Sequence, residues 1–555
     1  MTTPSLSPRM WLSACVLALV TLAGCDDTPD PVVDAGTPPV EDAGTVDAGT
    51  VDAGAEPWDG GYTVLEERGD WLDRGPHAPC TLTPGTPVDC DALTPAAFDL
   101  SACDADALAR LEPHGIYQAG MRAETVAQDG GTAVGFSAIG FKLHSDGGAD
   151  ILANRPLVTR QTDGGSFFLA SSRSPNAPFT NFAFAGCQTP SPGVITGCFI
   201  RCGNGRVSRT GTFEAHRMAW PPGEAESSGG LVLRSESRVE LGRPVDVYVA
   251  KEHAYVVSLD NRGLAGGLTV FDVSDRSHPI FKTSISIPGD SYWNGVWALG
   301  DALYIASDVS GTIVYDISRP AEPVFLRALP SGQFGVHTVL VDGDRLYSAD
   351  NEGLTRVYDV SRPLEPVLRQ TLSLDPVFSA GGPHDHFAYQ GRLYISNATS
   401  GFSVVDVSNL DDVRHLGQYV HGSYSHHSAV GTFAGRTLAF EGGEFAASHL
   451  RVLDVTDPAH IVKIGEHRKR PVSSIHNMIL RGDRLYIAWY QEGLRVLDVS
   501  NPTKPREVGH FNTYRESDPG RTEGVFEGAY GIRVPGDDFL YVVDSARGLL
   551  ILDEP

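Results

Sequence analysis

The chain has 555 residues and a formal net charge of -26, and its sequence contains no basic cluster. Neutralising nucleic-acid phosphates requires surfaces of Lys and Arg, so we do not expect nucleic-acid binding. The sequence also lacks a P-loop, a dinucleotide-binding fingerprint and a Gly-x-Ser-x-Gly elbow.

The N-terminus carries a secretory signal. Arg9 precedes an apolar stretch at residues 10–22, which is too short to span a membrane as a mature helix. The following Leu-Ala-Gly-Cys, which ends at Cys25, resembles a bacterial lipobox. That resemblance implies cleavage before Cys25, lipidation of Cys25 and export to the bacterial cell envelope, with the membrane leaflet left open. We therefore expect residues 1–24 to be a lipoprotein signal peptide.

Residues 25–61 consist mainly of Asp, Ala, Gly, Thr and Pro. Such a composition has too little apolar surface to bury a core, and its acidic charge favours an extended chain. We interpret this segment as a disordered tether between the membrane and the folded part of the protein.

Cysteine usage supports an exported protein. After the signal peptide and Cys25, every remaining cysteine lies within residues 62–220. An even number of thiols confined to one segment of an exported chain predicts three disulfides, whose pairing the sequence leaves open. The six cysteines are Cys80, Cys90, Cys103, Cys187, Cys198 and Cys202.

The same residues, 62–220, are predicted to form a small antiparallel β domain. A short helix signal at 104–111 precedes strand signals at 115–124, 132–144, 167–170, 194–201 and 208–218, separated by Gly-rich turns. Gly115-Ile-Tyr-Gln-Ala-Gly and Gly211-Thr-Phe-Glu-Ala-His-Arg-Met are similar to sequences of lipocalin-like (calycin) barrels. The similarity implies a barrel with an apolar ligand cavity, and a barrel filled by its own side chains is the alternative. Residues 221–230 are interpreted as a linker.

From residue 231 onward one phrase repeats seven times: an apolar dipeptide ending in Tyr, a polar turn, a β-branched run, then Asp-Val-Ser and Pro. Each copy has the length and the strand signals of one four-stranded blade, so the sequence predicts a seven-bladed β-propeller over residues 231–555. The Asp caps backbone donors and the Pro ends the strand, so we interpret the Asp positions as structural. They are Asp272, Asp316, Asp359, Asp406, Asp454, Asp498 and Asp553.

The last blade is incomplete in sequence order, because the chain ends at Pro555 before an outer strand could form. Residues 231–241 have the character of an outer strand but no blade of their own. We predict that they complete the last blade and close the ring, which removes the open edges of the propeller.

Three stretches carry a family resemblance: Val-Leu-Asp-Val-Ser-Asn-Pro at 496–502, Val-Val-Asp-Val-Ser-Asn at 404–409 and Val-Leu-Asp-Val-Thr-Asp-Pro at 452–458. They resemble the LVIVD repeat family of propeller proteins, which are mostly bacterial and secreted or surface-bound. The resemblance covers roughly residues 231–555 and implies no particular reaction. The expected fold class is all-β, with the propeller preceded by the disulfide-bonded domain.

Candidate functional residues lie where the innermost strands begin. The first residues of inner strands surround a propeller axis at one face, so their side chains are expected to share one funnel. Alignment of the copies places there Asp246, Asn294, His337, His384, His427, His476 and Tyr530. Polar residues that end the second strands could hold the imidazoles in one tautomer. These are Asp260, Asp308, Asp350, Asn397, Glu441 and Asp544, and the neighbouring Asp385, His386, His426, Glu444, Glu523 and Glu527 enlarge the cluster.

Converging imidazoles with carboxylate support suit Zn, Cu, Fe or Ni. We therefore hypothesise a transition-metal site formed by His337, His384, His427 and His476. The alternative is structural: the four imidazoles cap the first ladder position of each blade and hydrogen-bond between blades.

Three functions follow from this sequence. The first expectation is a cell-envelope binding platform whose acidic, aromatic-rimmed mouth takes an extracytoplasmic glycan, peptide or protein. The rim is expected from Trp293, Trp297, Trp489, Tyr490 and Tyr530. The second is a metal-dependent oxidase or hydrolase that uses the histidine cluster, although the sequence shows no recognisable catalytic motif. The third is a purely structural envelope protein.

Overall fold

The computed structural model describes residues 58–126, 132–220, 223–261, 263–374 and 382–555. Its architecture is all-β, and a closed eight-stranded antiparallel barrel precedes a seven-bladed propeller, which confirms the predicted fold class. The signal peptide, Cys25 and most of the predicted tether lie outside the described residues. Within the described ranges, no helix has both the length and the apolar character needed to cross a membrane.

A short helix and two small strands precede the barrel. They are β1 (Thr81–Leu82), a 3₁₀ turn (Pro95–Ala97), β2 (Phe98–Asp99) and α1 (Ala105–Ala109). The barrel strands are β3 (Gly115–Val126), β4 (Thr132–Leu143), β5 (Ile151–Leu152), β6 (Arg155–Gln161), β7 (Phe168–Ser171), β8 (Thr180–Ser191), β9 (Val194–Gly203) and β10 (Arg206–Arg217). Each pairs with the next, and β10 pairs with β3 to close the barrel. The predicted helix and the five strand signals are confirmed, and β5, β6 and β8 are additional.

Aromatic side chains fill the barrel. Tyr117 stacks on Phe141 with ring centroids 4.7 Å apart, and Phe184 stacks on Phe213 at 4.5 Å. All four side chains are buried in one core cluster. The interior is therefore packed, as expected of a structural barrel rather than of a ligand-binding one.

Three disulfides join the segment before the barrel to its strands. The pairs are Cys80–Cys198, Cys90–Cys202 and Cys103–Cys187, which confirms the expected count and supplies the pairing. Each bond closes a loop of 84 residues or more, so each strongly restricts the unfolded chain. The segment around Cys80 and Cys90 is thereby held against strand β9.

The propeller consists of seven four-stranded antiparallel sheets. Strand β11 (Leu233–Ser237) comes first. Blades one to three contain β12 (Arg243–Ala250), β13 (His253–Leu259), β14 (Gly267–Asp272), β15 (Ile280–Ile285), β16 (Trp293–Leu299), β17 (Ala302–Ser307), β18 (Gly311–Asp316), β19 (Val324–Leu329), β20 (Val336–Asp342), β21 (Arg345–Asp350), β22 (Leu354–Asp359) and β23 (Val367–Ser373).

Blades four to seven follow in the same way, with a 3₁₀ turn (Pro458–His460) in blade five. Their strands are β24 (Asp385–Tyr389), β25 (Arg392–Ser396), β26 (Phe402–Asp406), β27 (Arg414–Tyr419), β28 (Tyr424–Phe433), β29 (Arg436–Glu444), β30 (Leu450–Asp454), β31 (Val462–His467), β32 (Met478–Arg481), β33 (Arg484–Trp489), β34 (Gly493–Asp498), β35 (Arg506–Phe511), β36 (Ala529–Arg533), β37 (Phe539–Asp544) and β38 (Gly548–Asp553).

Strand β11 is the outer strand of blade seven. It pairs antiparallel with β38, with Glu236 opposite Leu550. The Arg234 guanidinium adds a bidentate contact to Asp553, with Nε 2.5 Å from Oδ1. The prediction that residues 231–241 complete the last blade is confirmed, and the ring is closed by a strand from outside its sequential repeats.

The repeated Asp positions cap turns, as predicted. The backbone N–H of Ser318 donates to Asp316 at 2.7 Å, and that of Ser361 donates to Asp359 at 2.9 Å. The same bond from the residue two positions later occurs at Asp272, Asp406, Asp454 and Asp498. These carboxylates therefore cap the end of the third strand in six blades, whereas Asp553 of blade seven accepts from Arg234 instead.

The barrel contacts the long connection between β35 and β36. Gln118 Nε2 donates to the Glu523 carbonyl at 2.6 Å, and Trp220 Nε1 donates to the Tyr514 carbonyl at 2.6 Å. A Cβ atom at Gly140 would lie 1.9 Å from that Glu523 carbonyl oxygen, so only glycine permits this approach.

Residues 58–70 form a strap along blade five. The backbone N–H of Leu65 donates to the Lys463 carbonyl at 2.8 Å. The fully buried Arg451 donates to Glu67 Oε2 at 2.9 Å and to Asp70 Oδ1 at 2.7 Å. A buried guanidinium needs such partners, so the strap is part of the blade's structure.

Candidate functional site

The inner strands place one residue from each of six blades around the propeller axis. In blades two, three and five a β-bulge leaves one residue out of the strand pairing: Asn294, His337 and His426. A bulge redirects the side chain of the extra residue. His384 and His476 lie just before their strands, and their backbone N–H groups donate to Ser396 and Ala488.

These residues form a continuous series, which we call the axial ring. It consists of Asn294, His337, His384, His426, His476 and Tyr530. Asn294 Nδ2 lies 3.1 Å from His337 Nε2, which lies 3.0 Å from His384 Nε2. The ring centroids of His384 and His426 are 4.1 Å apart, and those of His426 and His476 are 4.7 Å apart. Four imidazoles therefore share one buried space: three of the predicted residues, His337, His384 and His476, and His426 in place of the predicted His427.

Backbone carbonyls set the tautomer of two of these imidazoles. His426 Nδ1 lies 2.9 Å from the carbonyl oxygen of His476, and His476 Nδ1 lies 3.1 Å from that of Tyr530. A carbonyl oxygen only accepts, so each Nδ1 carries the proton. The Nε2 atoms of the neutral rings therefore keep their lone pairs.

Burial keeps the ring neutral. It lowers the pKa of His337 to about 4 and that of His476 to about 3. Burial, together with the neighbouring imidazoles, lowers the pKa of His384 and of His426 well below the usual value. Neutral imidazole is the form that binds metal ions.

A carboxylate with 11% of its side chain exposed faces the ring. Glu444 Oε1 lies 3.7 Å from His426 Nε2 and accepts a short hydrogen bond from the Tyr490 hydroxyl. Burial raises the pKa of Glu444 to about 7, and the Tyr490 bond opposes this rise. Ligand atoms of His384, His426 and Glu444 all lie within 4.8 Å of one another.

The assignment of His427 to the ring is wrong, because the bulge in β28 inserts one residue before it. A one-residue shift sends a side chain to a different environment, and His426 takes the ring position instead. His427 instead belongs to a second layer of side chains, one residue further along the inner strands, and its Nε2 lies 3.6 Å from Asp385 Oδ2. We call this second layer the lower layer. Blade one shows the same shift, because its bulge leaves out Val245 and Asp246 belongs to the lower layer.

The lower layer lines an axial cavity of about 230 Å³. Asp246, Asp385, His427 and Arg533 contribute its polar groups, while His384 and His426 also reach it. Burial raises the pKa of Asp385 to about 7 and that of Asp246 to about 6, and the Arg533 charge opposes both shifts. The Arg533 guanidinium packs over the rings of both Tyr248 and Trp297, at 4.2 and 4.5 Å from their centroids. Sequence reasoning missed Arg533, since nothing in one repeat marks it.

Five of the six predicted polar residues at the second-strand ends contact groups outside the axial ring. Asn351 donates to Asp308, and Arg356 donates to Asp350 at 3.0 Å. The remaining contacts are Asn397 to Ser403, Glu441 to His421 and Arg451, and Arg521 to Asp544. These side chains therefore stabilise loops and arginines near the mouth rather than orient the imidazoles.

The predicted aromatic rim is only partly correct. Trp293 and Trp489 are fully buried between blades, since both lie on faces that pack against the next sheet. Tyr490 and Tyr530 do reach the site and contact His476 with ring centroids 5.4 and 4.7 Å away.

These features define a seven-bladed propeller with a polar axis, joined to a filled accessory barrel. The family model for the LVIVD repeat matches residues 242–286, 291–328, 475–513 and 529–553, so blades one, two, six and seven contain LVIVD repeats, as the resemblance implied. A propeller of such repeats is in general an interaction platform.

No curated protein matches the chain. Among solved structures, the WD40 β-propeller domain of Doa1 is similar with a TM-score of 0.43 and 10% identity. U3-55K is similar with a TM-score of 0.44 and 10% identity. Each match covers 59% of this chain and 98% of the other.

Proposed function

We propose that the protein is an exported binding platform, tethered to the bacterial cell envelope through lipid on Cys25, and that one propeller face takes an extracytoplasmic protein, peptide or glycan. We call this the top face. It carries the loops between second and third strands and the connections from each outer strand to the next inner strand. The axial ring lies at the same end of the inner strands.

Exposed apolar side chains on the top face carry this proposal. The five are Leu264, Val309, Phe334, Val420 and Phe445, with between 39% and 62% of each residue exposed. They lie on different loops of blades one to five, by their position between the strands of those blades. Apolar side chains grouped on one face of a protein are typical of a contact surface.

Export is supported by the three disulfides, because such bonds persist in oxidising compartments outside the cytoplasm. The lipid anchor and the tether remain proposals from the sequence. Mass spectrometry of the N-terminal peptide from the native membrane fraction tests the lipid anchor, and an unmodified Cys25 would contradict it.

Site-specific photo-crosslinking tests the platform. A photo-reactive residue is placed at Val309 or Val420, and at the similarly exposed Val324 on the outer strand of blade two as a matched control. In envelopes of the native organism, we expect the two top-face positions to form the same adduct and Val324 to form none. Adducts at Val324 alone, or at none of the positions, would contradict a top-face platform.

A metal-dependent hydrolase or oxidase is the second candidate. It is favoured by the convergence of His384, His426 and Glu444, because a metal held by three protein ligands can activate a bound water or substrate. Hydrolysis of p-nitrophenyl acetate and oxygen uptake, each measured with wild type and Glu444→Gln, test the two reaction types. Equal rates for both proteins in both assays would contradict this candidate.

A further inference from the structure

We propose that His384, His426 and Glu444 bind one divalent first-row transition-metal ion on the propeller axis. Protein ligands of such an ion lie about 2.0–2.2 Å from it, so they lie about 3–4 Å from one another. The separation of 3.7 Å between His426 Nε2 and Glu444 Oε1 fits that spacing. This site is independent of the proposed top-face platform.

The orientation of His426 supports the assignment. Its Nδ1–H donates to the carbonyl of His476 at 2.9 Å, which leaves the Nε2 lone pair directed towards Glu444. Metal-binding histidines are commonly fixed in this way, by a backbone carbonyl on the nitrogen that does not bind the metal. The lone pair of His426 Nε2 and the Glu444 Oε1 atom therefore face each other across 3.7 Å.

A comparison with the fully buried Glu441 shows what Glu444 lacks. Glu441 lies 3.6 Å from the Arg451 guanidinium. Glu444 has no ion pair with Lys or Arg among the residues that the structure describes, and its hydrogen bond comes from the neutral Tyr490 hydroxyl. A buried carboxylate without a cation costs free energy, and a metal ion supplies the missing charge.

Two imidazoles and one carboxylate suit Zn²⁺, Fe²⁺, Ni²⁺ or Cu²⁺ and leave coordination positions open for another ligand. The axial cavity of about 230 Å³ is lined by His384 and His426, so it adjoins those positions. Its Arg533 and Asp385 side chains favour a small polar ligand over an apolar one.

Metal retention tests the assignment. The full chain is purified without affinity histidines, supplied with Zn²⁺, dialysed and measured by mass spectrometry, beside Glu444→Gln and His426→Gln. His278→Gln and Glu352→Gln, at exposed positions, are the matched controls. We expect about one Zn²⁺ per chain in wild type and controls, and binding at least about tenfold weaker in the two site variants. No retained metal in wild type, or equal retention in all five proteins, would overturn the proposal.

A second measurement avoids dependence on variants that fail to fold. Electron paramagnetic resonance of the wild-type chain loaded with one Cu²⁺ counts the nitrogen ligands of the metal. We expect two nitrogens, from His384 and His426, and spectra with none or with four would overturn the assignment. Thermal unfolding of each variant without metal shows whether weaker binding reflects a lost ligand or a lost fold.

Discussion

The barrel and the propeller are both closed β rings, yet their interiors differ. Stacked aromatic side chains such as Phe184 and Phe213 fill the barrel along its centre. The propeller instead has imidazoles and carboxylates along its axis, and its apolar clusters lie between neighbouring blades. The barrel therefore depends on its centre for stability, whereas the propeller depends on its blade interfaces and leaves its centre available for chemistry.

The barrel and the propeller also differ in which strands close the ring. The barrel is closed by β3 and β10, which belong to one continuous stretch of chain. The propeller is closed by β11, which precedes all the other blade strands and pairs with β38 near the C-terminus. A ring closed in this way is expected to unfold as one unit when the closing strand is lost.

Deletion of residues 231–241 is expected to have the largest effect, the cooperative loss of the propeller. The deletion exposes the edge of β38 and removes the Arg234 contact with Asp553. Thermal unfolding followed by circular dichroism measures this, with an equally long deletion at 42–52, inside the predicted tether, as the control. An unchanged melting temperature after loss of 231–241 would show that β11 does not hold the ring closed.

Phe184→Ala in the barrel is expected to lower the free energy of unfolding by about 3–5 kcal/mol, because it leaves a large cavity in a filled core. Phe281→Ala is the control, since Phe281 is 56% exposed on an outer strand and its loss should cost much less. Urea unfolding of both variants measures the difference. Equal losses would mean that the centre of the barrel is no better packed than the surface of the propeller.

Acid is expected to weaken the strap on the propeller before it affects the uncharged barrel centre. Burial raises the pKa of Glu67, but the hydrogen bond from Arg451 and the charges of Arg451 and Lys463 outweigh this and lower it to about 2. A lowered pKa stabilises the fold above the unfolded value near 4.5, and that stability is lost as pH falls from about 4.5 to 2.

Hydrogen exchange at pH 6 and pH 3 measures this effect, and we expect faster exchange at Leu65, whose N–H bonds to blade five. Tyr117 in the barrel is the internal reference, after correction for the intrinsic pH dependence of exchange. The Arg451→Met variant should lose most of the difference between the two pH values. A strap equally protected at both would contradict the role of these ion pairs.

The sequence was sufficient for the architecture because its signals are local and repeated. Copies end in an Asp that caps the turn after it, such as Asp316. The stretch at 231–241 had no blade of its own, and only the last blade lacked an outer strand. The even number of cysteines likewise predicted three disulfides. Their pairing required the fold, since partners such as Cys80 and Cys198 are separated by 118 residues.

The site was less predictable. The histidine pattern identified the axis, but whether His426 or His427 lies on it depends on a bulge, and adjacent histidines give no sequence signal for its position. Glu67 and Arg451 are 384 residues apart, and neither belongs to a motif. Contacts of this kind arise from how separate elements pack, so a single sequence does not reveal them.

His337→Asn on the propeller axis is expected to have the smallest effect, below about 1 kcal/mol in urea unfolding with a metal chelator present. Blade two already carries Asn294 at the equivalent bulge, and an amide can both donate and accept beside His384. His386→Asn is the comparison, because His386 is buried between blades, where its Nε2 bonds to Thr355 Oγ1 at 2.8 Å. We expect His386→Asn to cost more, about 1–3 kcal/mol. The reverse order would show that the propeller, like the barrel, is held together from its centre.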